Sequence, residues 1–198
     1  MSILSNPAHG AADAAAAAAY VQALAAALGD QEPLHVLAEL PAALKALTRG
    51  LPQRALRTPE AAGKWSIVEV VQHLADSEVV FAYRLRKALT EDAPRLEGFD
   101  QDVWASRLRY RDVRIGSALA LLRPVRAANL RLLRALDADD LERTVVHAER
   151  GRLTVADMLR QAAGHDMVHR AQIERIGAAM MQAVRAARTA RDADRRAS

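Results

Sequence analysis

Apolar positions recur every three or four residues in four long stretches of the chain, the spacing that lines one face of an α-helix. Residues 33–47 carry Leu34, Leu37, Leu40, Leu44 and Leu47 in that phase. Pro33 suits a first helical turn, where its missing N–H costs nothing. Ser66 and Glu69 have the spacing of a capping box. Behind them Ile67, Val70, Val71, Leu74, Phe81 and Leu85 form a stripe that predicts a helix to about residue 89. A third run covers about residues 115–136, with Pro124 expected to kink it. Thr154 and Asp157 form a second box ahead of a fourth run, from 155 to about 188.

Outside these runs, residues 11–28 are mostly alanine and strongly helix-prone, with Gly29 as a natural stop. Residues 50–63, with Pro52 and Pro59, read as a connector, residues 91–113 as irregular, and Ala148-Glu149-Arg150-Gly151 as a turn. No repeat of 20–50 residues is present. The pattern predicts an all-α, antiparallel four-helix bundle over residues 33–188. An N-terminal extension (1–32) with an alanine-rich helix precedes it, residues 1–10 of which read as disordered. A disordered, arginine-rich tail (189–198) follows.

Composition agrees with helices packed on helices: hydrophobic residues make up 51% of the chain and aromatics only 4%. The 28 basic residues stand against 24 acidic ones and are spread along the chain. That spread reads as solvated helix faces, so no nucleic-acid partner is expected. The densest run, Arg185 to Arg196, is diluted by Asp192 and Asp194; the weaker reading makes it a contact for an anionic partner. The alanine-rich segment is too polar to span a bilayer and lacks the features of a secretory signal, so no membrane partner and a cytoplasmic location are expected. Cysteine is absent, which excludes disulfides, thiolate metal ligands and a thiol nucleophile belonging to the protein.

Metal chemistry is left to six histidines and the carboxylates. His165 and His169, four residues apart, project from one helix face with Cβ atoms about 6 Å apart, near enough to grip a single ion. The competing reading is a pair of hydrogen-bonded core histidines. Leu159, Ala162, Ala163, Ile173 and Ile176 put this face inward, where each unpartnered imidazole would cost about 1–3 kcal/mol. His73 lies beside the apolar stripe of its own helix, one turn before Ser77, and taken alone reads as a boundary histidine. Asp76, Glu78, Asp166 and Gln172 are candidates to orient imidazoles or bound water. Asp166 points about 100° away from its neighbour His165, toward the surface or the surroundings of the site. Asp100, Asp102 and Trp104 either line the mouth of a site or cap a turn and pack on the bundle end. His147 reads as turn surface, and His9 and His35 carry no signal.

The stretch Gly63-Lys64-Trp65-Ser66-Ile67-Val68-Glu69-Val70-Val71-Gln72-His73-Leu74-Ala75-Asp76-Ser77-Glu78, followed by Arg84, resembles the signature helix of the DinB-like superfamily. Phe99-Asp100-Gln101-Asp102-Val103-Trp104 and Gly164-His165-Asp166-Met167-Val168-His169-Arg170-Ala171-Gln172-Ile173 resemble its later motifs, in the same order. The resemblance covers about residues 33–177. It implies an up-down-down-up bundle, a homodimer, and one divalent metal, zinc or nickel, on His73, His165 and His169.

Three nitrogen ligands leave a coordination position open, which can lower the pKa of bound water or deprotonate an incoming thiol. The resemblance points first to an S-transferase that uses a low-molecular-weight thiol of the bacillithiol or mycothiol type as cosubstrate against a small electrophile. A metal-dependent hydrolase of a small ester or amide is the alternative. His165-Asp166-Met167-Val168-His169 resembles the H-E-x-x-H motif, but its shorter Asp166 argues against a peptidase. A stress-associated metal-binding protein without catalysis is the third reading.

Overall fold

The structure, a computed structural model, describes residues 14–197. The expectations for residues 1–10, with His9, lie outside the described residues, and so do the side chains of the arginine run. Helices α1 (Ala14–Leu28), α2 (Pro33–Thr48) and α3 (Gln53–Arg57) lead to α4 (Ile67–Thr90). Strand β1 (Arg95–Leu96), α5 (Gln101–Arg107) and a 3₁₀ turn (Tyr110–Asp112) precede α6 (Ile115–Leu133). Helix α7 (Ala138–Glu142), β2 (Thr144–His147), β3 (Gly151–Thr154) and α8 (Val155–Ala197) complete the chain.

Four helices close a ring in which α2 packs on α8, α8 on α4, α4 on α6 and α6 on α2. Their directions follow from two hydrophobic clusters at opposite ends. One joins Leu40 and Leu44 late in α2, Ile67 to Ala75 early in α4, Ala118 and Leu122 early in α6, and Ile173 and Ile176 well along α8. The other joins Val36 and Leu37 early in α2, Leu85 and Ala88 late in α4, Leu130 and Leu133 late in α6, and Val155 to Ala163 at the start of α8. Helices α2 and α8 therefore run one way and α4 and α6 the other, an up-down-down-up bundle. Because α4 ends where α6 also ends, residues 91–114 must travel back along the bundle. The extra helix α1 packs along α8 and ends at Gly29, whose φ of +56° suits glycine.

Both capping boxes form. Ser66 donates from N–H and Oγ to Glu69 Oε2 at 2.8 and 2.7 Å. Thr154 N–H reaches Asp157 Oδ2 and Asp157 N–H reaches Thr154 Oγ1, both at 3.0 Å. The last helix passes the expected end near Arg188 without a break, since no glycine or proline follows Gly177 and its alanines and arginines favour helix. Helix α6 likewise continues across Pro124.

The all-helical expectation omits one feature, a three-stranded sheet in the order β1-β2-β3. Strands β2 and β3 form a hairpin in which His147 pairs with Gly151, and β1 lies parallel to β2 with Leu96 opposite His147. Segments read as irregular thus become ordered by pairing across some fifty residues. Among the described residues no helix is long and apolar enough to cross a membrane.

Candidate metal centre

The capping box fixes the start of α4, and Arg111 Nε ties Glu69 Oε1 from outside at 2.8 Å. His73 then falls two turns into the helix, on the side facing α8. Glycine at 164 lets α1 approach: a Cβ there would run into the Leu24 carbonyl and lie 3.0 Å from Leu24 Cβ. The next residue, His165, and His169 one turn later face α4.

One ligand nitrogen from each of His73, His165 and His169 falls within a set spanning 4.8 Å. The Nε2 atoms of His73 and His165 are 3.0 Å apart. Ring centroids are 4.9 Å apart for His73 and His169, and 4.4 Å for His165 and His169. A tetrahedral ion 2.0–2.1 Å from each nitrogen would hold them roughly 3.3 Å apart, so one cation fits with only small shifts. His169 Nδ1 lies 2.9 Å from Gln172 Oε1. The carbonyl only accepts, so the proton sits on Nδ1 and Nε2 keeps its lone pair for the centre.

Burial holds His73 and His165 well below the ordinary histidine range, helped by the neighbouring imidazoles. Burial also takes His169 down to about 4. All three are neutral at neutral pH, the state a metal requires. His73 and His169 are each 2% exposed, whereas His165 is half-buried and opens onto a cleft. The donor set, its protonation and its spacing fit a divalent cation with one side left open.

Aromatic rings wall His73: Trp65 at 5.0 Å and Phe99 at 6.4 Å between centroids. Behind the centre lies a buried ionic group. Arg126, 3% exposed, reaches Glu78 Oε2 at 2.7 Å and Asp166 Oδ2 at 2.6 Å. It also donates to the Leu37 carbonyl, while Asn129 donates to Glu78 Oε1. Burial pushes Asp166 up to about 6, against the pull of Arg126 and with the push of Glu78.

The structure brings His73, His165, His169 and Gln172 together, with Glu78 and Asp166 lining the same cleft. Asp166 does not reach the surface; it is buried against Arg126. Asp76 accepts from Gln72 at 2.9 Å and faces the Tyr110 hydroxyl. Asp100 caps α5 by accepting from the N–H groups of Asp102 and Val103, and Asp102 is exposed. Trp104 packs on the cluster that joins Leu40, Ile67 and Ile173, and its ring lies tilted against Phe99 with centroids 4.5 Å apart. His35 lies on the exposed face of α2 beside Glu39. His147, expected at the turn surface, is 2% exposed and lines the cleft, with β1 paired alongside it. Sequence reasoning missed Arg126, whose phase with Leu122 and Asn129 on an apolar stripe is a usable signal. It also missed Tyr20 and Arg150.

Residues 37–173, more than half of the chain, match the DinB superfamily model. The chain belongs to the DinB superfamily. It is 32% identical over 142 residues to "Putative metal-dependent hydrolase OB0782" of Oceanobacillus iheyensis, covering 72% of this chain and 82% of that one. A "Putative metal-dependent hydrolase" of Bacillus cereus is 31% identical over 140 residues, 71% of this chain and 80% of that one. Among solved structures, YfiT from Bacillus subtilis superposes with a TM-score of 0.70 at 25% identity, covering 90% of this chain and 95% of that one. YfiT is described as "a probable metal-dependent hydrolase with an unusual four-helix bundle topology". The helix directions found here form such a bundle.

Proposed function

We propose that this DinB-superfamily chain is a divalent-metal-dependent enzyme that activates a low-molecular-weight thiol for attack on a small electrophile. The convergence of His73, His165 and His169, the first two of which line an open cleft, carries the metal-dependent part of this reading. A divalent cation bound there supplies Lewis acidity, lowering the pKa of an incoming thiol or water. Zinc and nickel both suit three neutral imidazoles.

The choice of nucleophile rests on the carboxylates. Glu78 and Asp166, which line the floor of the cleft beside the triad, are both held by Arg126, and that ties their oxygens up against service as a general base. A thiol, with a pKa of about 8.5, needs far less assistance than water, at about 15.7. The triad and its cleft therefore suit an exogenous thiol better. The thiolate sulfur would form a bond to the electrophilic carbon, the leaving group would depart with its electron pair, and the thiol proton would pass to solvent.

Hydrolysis is the second reading, favoured by the names of the relatives. One experiment separates them: zinc- or nickel-loaded protein is assayed with bacillithiol, mycothiol or glutathione against 1-chloro-2,4-dinitrobenzene, and without thiol against p-nitrophenyl acetate. Thioether formation with chloride release, lost in His165→Ala, supports thiol transfer. Metal-dependent ester cleavage with no thioether from any of the three thiols would replace it with hydrolysis.

A further inference from the structure

The roof of the cleft is basic and, apart from Arg84, is built from outside the four bundle helices. Its residues are Tyr20 from α1, Arg84 from the later part of α4, His147 at the end of β2, and Arg150 from the hairpin turn. The sheet builds this roof. Ala148 N–H donates to the Leu96 carbonyl at 2.9 Å, which pins the hairpin to the segment after α4 and sets His147 and Arg150 over the opening.

His147 has a fixed tautomer. Its Nδ1 accepts from the Glu149 N–H at 3.2 Å, so the proton is on Nε2, and that N–H is buried with no hydrogen-bond partner. The Nε of Arg150 is likewise buried without one. The rest of Arg150 is held by the Gln161 carbonyl at 2.6 Å and by the Tyr20 ring, 5.7 Å from the guanidinium carbon. Arg84 donates to the Glu97 carbonyl. Burial and the Arg150 charge depress Arg84 to about 10, and burial lowers Arg150 as well, while Glu149 opposes both shifts. Burial, then Arg150 and Arg84, takes His147 down to about 3. The roof thus holds two guanidiniums and one neutral N–H donor, with the Glu149 carboxylate close enough to act on both arginines, a net charge of one positive among these groups. Buried donors of this kind call for an acceptor.

We propose that Arg84, Arg150 and His147 form a subsite for a carboxylate on the small molecule that meets the histidine triad. Between the two, Leu96, Phe99, Phe81, Leu153 and Met158 offer an apolar passage. The ligand class is therefore an amphiphilic monoanion: a carboxylate at one end, an apolar body, and the reacting group at the end near His165. The proposal rests on the cleft being the substrate site, but the subsite itself is built from residues that hold no metal.

The test titrates 3-phenylpropionate and its uncharged amide, 3-phenylpropionamide, by calorimetry into zinc-loaded wild type and into a His169→Ala variant. The carboxylate should bind at least about tenfold more tightly than the amide, as a charge-assisted contact implies. That preference should persist in His169→Ala and disappear in both Arg150→Gln and Arg84→Gln, with Arg150→Lys keeping part of it. Equal binding of the two probes, or no binding of the carboxylate, overturns the subsite. So does a preference that survives both glutamine variants, or one that vanishes with His169 alone, because the carboxylate would then be a metal ligand. Failure of thiol or ester turnover leaves this readout untouched, so the two proposals fail separately.

Discussion

Gln172 accepts the Nδ1–H of His169 at 2.9 Å from one turn further along the same helix, and so turns the opposite nitrogen toward His73 and His165. Both residues are nearly inaccessible, which leaves the imidazole no water to bond with instead. The consequence is a ring locked in one tautomer and one orientation before any ion arrives.

Replacing that partner tests the arrangement. Gln172→Leu keeps the volume but removes the acceptor, and metal affinity should fall about 10–100-fold, the usual effect of losing a group that orients a ligand. Gln172→Glu, which still accepts, should retain most of the affinity. Competition with a chromophoric chelator measures both.

The approach of α1 to α8 depends on the missing side chain at position 164. In Gly164→Ala the new methyl meets the Leu24 carbonyl, so α1 must shift or the helix must strain. The expected cost is about 1–3 kcal/mol in urea unfolding, typical of an overpacked contact. Gly177→Ala, which meets open space, should be neutral or mildly stabilising.

Arg126 balances two buried carboxylates, so its loss should be severe. Arg126→Met leaves Glu78 and Asp166 without a cation and should destabilise the fold by about 3–5 kcal/mol. Adding Glu78→Gln and Asp166→Asn to that variant should recover a large part of the loss. Full additivity of the three changes would show that the network does not act as a unit.

Much of this was readable from the amino-acid order, and the exceptions share a cause. The bundle helices announce themselves through local periodicity, and the Ser66–Glu69 and Thr154–Asp157 boxes lie within four residues of sequence. The pair His165 and His169 is legible because helical spacing alone puts both on one face. His73 is not: its meeting with α8 depends on how two helices pack, and only the family resemblance pointed to it. The third strand of the sheet, β1, was missed because Leu96 and His147 pair across a long separation, and a two-residue strand leaves no pattern; the β2–β3 hairpin around residues 148–151 was read only as its turn. Arg126 was hidden among many solvated arginines, two of them, Arg123 and Arg131, on its own helix. The burial of His147 where β1 pairs with β2, and the meeting of Arg150 with Tyr20 of α1, depend on contacts distant in sequence, which no local rule reveals.

His147 gives a pH signature. Its folded-state value, about 3, lies below the roughly 6.5 of an unfolded chain, so the stability it contributes is complete above pH 6.5 and is lost as pH falls toward 3. Metal-free wild type should therefore lose stability between pH 6.5 and 4 more steeply than His147→Gln, since the triad histidines contribute equally to both proteins. Denaturant titrations at several pH values give the difference, and parallel curves would contradict it.

The central claim is that three imidazoles from α4 and α8 share one cation. X-ray absorption on the zinc-loaded protein at one equivalent tests it most directly. Three histidine nitrogens at 2.0–2.1 Å are expected, with one falling away in His73→Ala. A shell with two or fewer imidazoles, or one that His73→Ala leaves unchanged, would contradict it.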